Sequence, residues 1–203
     1  MRHKSEVFLI LAVAAFALTG ITAMRLIDDE EPRPLLPLVE PAPLATQPAA
    51  GVAAEWFRSI RMYCNHVEID THLRWQPAPG GAEGDMYRAA CYALAGRTEQ
   101  ARTVILDMPA DRRYQAAGAV FDAIHPAADA GDETAAGPLM ELVVEFWPNH
   151  YMALYHAGAA AFERGEHGPA WNYLERFLKE YQVEDGWRTN AQAMLDTMTR
   201  IEG

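Results

Sequence analysis

An all-α fold is what this sequence predicts, and three observations carry the expectation. Alanine is abundant while valine and isoleucine are sparse, a balance that favours helix over sheet. Apolar residues recur at helical spacing, as in Ala101, Val104, Ile105 and Met108 and again in Ala170, Leu174, Phe177 and Leu178. A glycine followed five residues later by an alanine occurs at Gly96/Ala101, Gly131/Ala136 and Gly165/Ala170, a step of 35 and then 34 residues. The chain has 203 residues, 50% hydrophobic and 22% charged, enough for one domain of ordinary size plus an appendage.

The appendage comes first. Residues 1–6 carry Arg2 and Lys4, and an apolar run without charge extends from Val7 to Met24. At about 1.5 Å per residue such a run reaches roughly 27 Å, just enough to cross a bilayer core. A cleaved signal peptide would need a small-x-small site after the run, and the nearest candidate, Ile21-Thr22-Ala23, puts a bulky side chain where a small one is preferred. The expectation is therefore a retained signal anchor over 7–24. Arg2 and Lys4 before the run, against Arg25 alone just after it, place the N-terminus in the cytoplasm and the rest outside. That corresponds to a single-pass protein of a bacterial inner membrane with a periplasmic C-terminal domain. Residues 25–50 read as a tether, acidic at Asp28–Glu31 and then rich in proline (Pro32, Pro34, Pro37, Pro41, Pro43, Pro48).

Residues 51–81 are expected to hold N-terminal helices and a loop. Val52, Trp56, Ile60 and Tyr63 form an amphipathic stripe, Asn65 is placed to cap a further helix running to Trp75, and Gln76–Gly84 is rich in proline and glycine.

The repeated glycines then mark helix–turn–helix units across 82–182. A glycine ends the first helix where the turn needs positive φ, Thr98 is placed to cap the next helix, and the alanine lets two helices approach closely. Pro109 and Pro148 sit just past helices, where proline stops them. In these features the chain resembles the tetratricopeptide repeat family. The third unit carries the likeness best, with Gly158, Phe162, Gly165, Ala170 and Leu174 at the family's small, aromatic, turn, small and large-apolar positions. Ala89, Tyr92, Gly96, Ala101 and Ile105 match in the first unit. The second keeps Gly131, Ala136, Met140 and Pro148, but departs at Pro126 and at Gly137-Pro138, which suggests a kinked or degenerate unit. The resemblance implies a superhelix of about three repeats. Residues 183–203 are expected to supply a capping helix with Trp187, Ala191, Met194, Leu195 and Met198 on one stripe.

Chemistry is sparse. The formal net charge is −11; residues 1–50 hold four Lys/Arg and six Asp/Glu, which leaves −9 on the rest. Such a surface repels phosphates, so nucleic acid is not an expected partner. No two histidines lie i, i+4 on a predicted helix, and no HExxH or Cys–His cluster occurs. Paired carboxylates such as Asp132-Glu133 fall at helix starts, where negative charge is ordinary. No phosphate loop or nucleophile elbow appears. The sequence thus points to no enzyme, no cofactor, no metal site and no small-molecule substrate. The two cysteines, Cys64 and Cys91, read either as a disulfide of an oxidising compartment or as two buried thiols.

The family resemblance further implies a concave, protein-binding groove lined by the first helix of each repeat. The matching positions are Met86, Ala90 and Ala93, then Phe121 and His125, then Met152, Tyr155, Ala159 and Phe162. The set is apolar and lacks the Lys/Asn pattern that clamps a peptide carboxylate. Two readings stay open: an open groove, or side chains that fill a tight superhelix beneath the capping helix. The expected function is a non-catalytic, membrane-tethered scaffold for another envelope protein. The alternatives are a chaperone-like holder of apolar clients or an accessory subunit of a membrane complex.

Overall fold

Helices α1 (Val52–Ile60), α2 (Ile69–Trp75), α3 (Ala82–Leu94), α4 (Thr98–Asp107) and α5 (Arg113–Asp129) are followed by α6 (Glu133–Phe146), α7 (Tyr151–Glu163), α8 (His167–Glu180) and α9 (Gly186–Glu202). This computed structural model describes residues 51–202, and the expected membrane span and tether lie outside them. Among the described residues all regular structure is helical, with short 3-10 turns at Arg61–Tyr63 and Ala110–Arg112. None of the described helices is long and apolar enough to cross a membrane.

Three of the connections close in the same way. Gly96, Gly131 and Gly165 have φ of 71°, 88° and 73°, the left-handed region that a side chain disfavours. In each, the glycine N–H bonds the carbonyl three residues back, and the next N–H reaches five residues back: Arg97 to Tyr92 at 2.9 Å, Asp132 to Ala127 at 3.0 Å, Glu166 to Ala161 at 2.9 Å. This Schellman pairing satisfies the last carbonyls of one helix, and the next helix starts two residues after the glycine. Thr98 is thus the first residue of α4 and not its cap. Arg97 takes the cap position without a side-chain bond, because a guanidinium has no acceptor to offer the free N–H groups of α4.

The alanine five residues past each glycine, Ala101, Ala136 and Ala170, is fully buried. Small residues set the helix spacing elsewhere too. A Cβ on Gly158 of α7 would meet Leu174 of α8 at 2.7 Å, so only glycine permits this approach. The core is continuous from Phe57 and Ile60 through Val120, Met140 and Leu154 to Phe177 and Met198.

Neither interior proline breaks its helix. Helix α5 runs through Pro126 and α6 through Pro138. Pro126 removes the N–H that would bond the carbonyl of Asp122. One residue on, the Ala123 carbonyl accepts a hydrogen bond from Arg61 Nη2 at 3.0 Å, so the loosened turn gains a partner from outside the helix.

The buried stripe of α1 is shifted by one residue from the sequence reading. Ala53, Phe57 and Ile60 are buried, while Val52 is exposed and Trp56 half-buried. The Phe57 ring stacks on Tyr87 of α3 at 5.2 Å, which fixes that rotation. Asn65 caps the turn ahead of α2, its Oδ1 accepting from the N–H groups of Val67 and Glu68. Cys64 and Cys91 are joined in a disulfide with a Cα separation of 5.0 Å, linking the end of the α1 segment to α3. Helix α9 buries Ala191, Leu195 and Met198 against α7 and α8.

Two stability effects are expected. Gly158→Val forces Leu174 from a fully buried position and lowers unfolding free energy by roughly 2–3 kcal/mol, read from urea midpoints. The disulfide closes a loop with a sequence separation of 27 residues. Replacing both cysteines by serine removes about 3.5 kcal/mol on loop-closure grounds, seen as a lower midpoint that reductant no longer shifts.

Candidate functional site

Two depressions and one buried polar cluster lie along the first helices of the hairpins. The larger depression, about 660 Å³, is bounded by α1, α3, α5 and Trp147. Its walls are apolar at Phe57, Met86, Tyr87, Ala119 and Trp147, with Arg58, Arg61 and Asp122 supplying charge. The smaller, about 470 Å³, lies between α7 and α9 and includes Tyr155, Ala159, Phe162, Asn190 and Met194.

The residues assigned to a groove by family resemblance distribute unevenly. Met86 lines the first depression, and Tyr155, Ala159 and Phe162 line the second. Ala90 and Ala93 are buried and serve helix contact. Met152 packs half-buried against the core. Phe121 stacks on His125 at 4.4 Å and meets His150 at 4.1 Å.

Those last contacts belong to a ladder of rings that connects the two depressions. It runs from Tyr114 to Trp147 and His150, through Phe121, His125 and His156, to Trp187 and Tyr155, with successive centroids 4.1 to 5.9 Å apart. Trp187 brings α9 over the end of the ladder, so the capping helix covers Tyr155. His150 also caps α7, its Nδ1 accepting from the Ala153 N–H at 3.2 Å.

The polar cluster sits where α5 ends and α6 begins. His156 of α7 is fully buried, and its Nδ1 lies 2.9 Å from Glu133 Oε1. That contact turns Nε2 the other way, 3.7 Å from Asp129 Oδ1. His125 stands one helical turn before Asp129 and places its own Nε2 3.2 Å from the same oxygen. Burial lowers the His125 pKa, opposed by the charge of Asp129, so the neutral imidazole is favoured. His125 Nε2, His156 Nε2 and Glu133 Oε2 are buried atoms without a hydrogen-bond partner; among the described residues the others are Nε atoms of Arg88 and Arg97. Among the described residues, His125, Asp129 and His156 form a group that could hold a metal ion.

A search for paired histidines passes over this cluster, because its helical pair is a histidine and a carboxylate, His125-x3-Asp129. The third member arrives from the next hairpin, and Glu133 looks like an ordinary acidic residue at a helix start.

Burial likewise lowers the His150 pKa from its usual 6.5, with Asp122 opposing and His125 adding to the shift. The unfolded chain then takes up a proton first as pH falls, so the contribution that neutral His150 makes to stability is full above about pH 6.5 and is lost as pH falls below it. Urea midpoints in EDTA should fall from pH 7.5 to 5.5, and His150→Asn, which keeps a capping acceptor, should flatten that slope.

No protein-family model matches the chain, and no curated protein or solved structure proves similar to it.

Proposed function

We propose that the chain is a membrane-tethered, non-catalytic scaffold whose tetratricopeptide-like helical array binds another envelope protein. The depression between α1, α3 and α5 is the observation that carries this reading. It is apolar on its walls and charged at Arg58, Arg61 and Asp122. Its lining is therefore suited to an extended or helical segment with apolar side chains and a few polar anchors. Support for the repeat reading comes from the three identical glycine turns, the step of 35 and 34 residues, and the buried alanine in each second helix.

In this reading the apolar run 7–24 is the anchor in a bacterial inner membrane, the proline-rich segment is a tether, and the helical domain belongs to the periplasmic side. The Cys64–Cys91 disulfide supports that side, since structural disulfides persist in oxidising compartments and are rare in the cytosol.

Photo-crosslinkers at Met86 and Tyr114 in native membranes, read by mass spectrometry, test the proposal. One dominant adduct at both positions is expected. Ala119→Arg fills the depression and should weaken binding of that purified partner by tenfold or more. A smear of unrelated clients would favour the holder of apolar segments. Crosslinks confined to the chain itself, or a partner indifferent to Ala119→Arg, would overturn the groove.

A further inference from the structure

We propose that His125, Asp129 and His156 form a binding site for a divalent first-row transition ion of the zinc class. The three residues offer ligand atoms that all lie within 4.8 Å of one another. Asp129 Oδ1 is 3.2 Å from His125 Nε2 and 3.7 Å from His156 Nε2. Tetrahedral ligands at zinc bond lengths stand about 3.3 Å apart, so small side-chain shifts bring all three onto one ion.

The polar arrangement itself asks for a cation. The Nδ1 of His156 faces Glu133, so a hydrogen there is donated to a carboxylate and the Nε2 lone pair points at the Asp129 oxygen. Lone pair and carboxylate are both acceptors, and His156 is fully buried, so water does not intervene freely. A positive charge between them removes the conflict. Glu133 occupies the position of an outer-shell carboxylate on a ligating histidine, which fixes the ring and raises its basicity. The end of α5 contributes the negative pole of its helix dipole at the same place.

Two imidazoles and one carboxylate select the ion class. Magnesium and calcium prefer shells of oxygen, whereas imidazole nitrogen suits zinc, copper, nickel and cobalt. His125 and Asp129 are partly exposed, which gives the ion a route in and leaves a fourth position for water. The site lies on α5, α6 and α7, so an ion there would bridge the second and third hairpins. It is independent of the groove reading.

The test uses the full, tag-free chain in detergent, stripped with EDTA and returned to chelator-free buffer. Titration with zinc should show one calorimetric equivalent at micromolar affinity or tighter, and should raise the melting temperature. Cobalt should give visible d–d bands. His125→Ala and Asp129→Asn, chosen because His156 is buried and its loss endangers folding, should each weaken zinc binding at least about tenfold, as should Glu133→Gln. His72→Ala and Ala119→Arg should leave it unchanged. Zinc binding that survives His125→Ala and Asp129→Asn, or a melting temperature unmoved by zinc, would overturn the site.

Discussion

Helix backbones in this protein approach one another closely, and that spacing rests on small residues at the contacts. Ala101, Ala136 and Ala170 are fully buried at the start of the second helix of each hairpin. Gly158 and Gly137 face Leu174 and Ala160 at distances that leave no room for a Cβ. The gain is dispersion contact along whole helices, since a dense interior rewards every atom brought to van der Waals distance. Larger side chains such as Met140, Leu154, Leu174 and Phe177 then fill the spaces between turns. The positive-φ glycines keep each pair of helices in register, because a longer connection would let them slide.

Against that apolar background the rings between Trp147 and Trp187 stand apart. Three imidazoles are interspersed among the aromatics, so the seam between the hairpins carries both packing and hydrogen-bonding capacity. The carboxylates of Asp129 and Glu133 sit at its centre, one at a helix end and one at a helix start. Negative charge is favoured at the start of α6 and disfavoured at the end of α5. Asp129 is therefore the residue whose placement the backbone field opposes.

Turns and helix faces were legible in the sequence where one residue type has one physical role. Glycine at a left-handed position and alanine five residues on mark the same local structure three times, and proline at 109 and 148 marks helix ends. The rotation of α1 was not legible, because Val52/Trp56 and Ala53/Phe57 are equally good stripes until Tyr87 selects one of them. Helices that run through Pro126 and Pro138 were not legible either, since tertiary partners such as Arg61 act from outside the segment. The polar cluster combines residues from three helices, and only His125 and Asp129 share a periodicity that a sequence can display.

The cross-link between Cys64 and Cys91 sets how mechanical load passes through the domain. Force applied at residue 51 travels along α1 to Cys64 and crosses a covalent bond directly into α3. Helix α2 and the loop 76–81 form a closed branch off that covalent path. Their attachments, including Arg97 to Asp70 at 2.9 Å and Trp56 to the Gln76 carbonyl at 2.9 Å, can therefore break without interrupting the covalent path from α1 to α3.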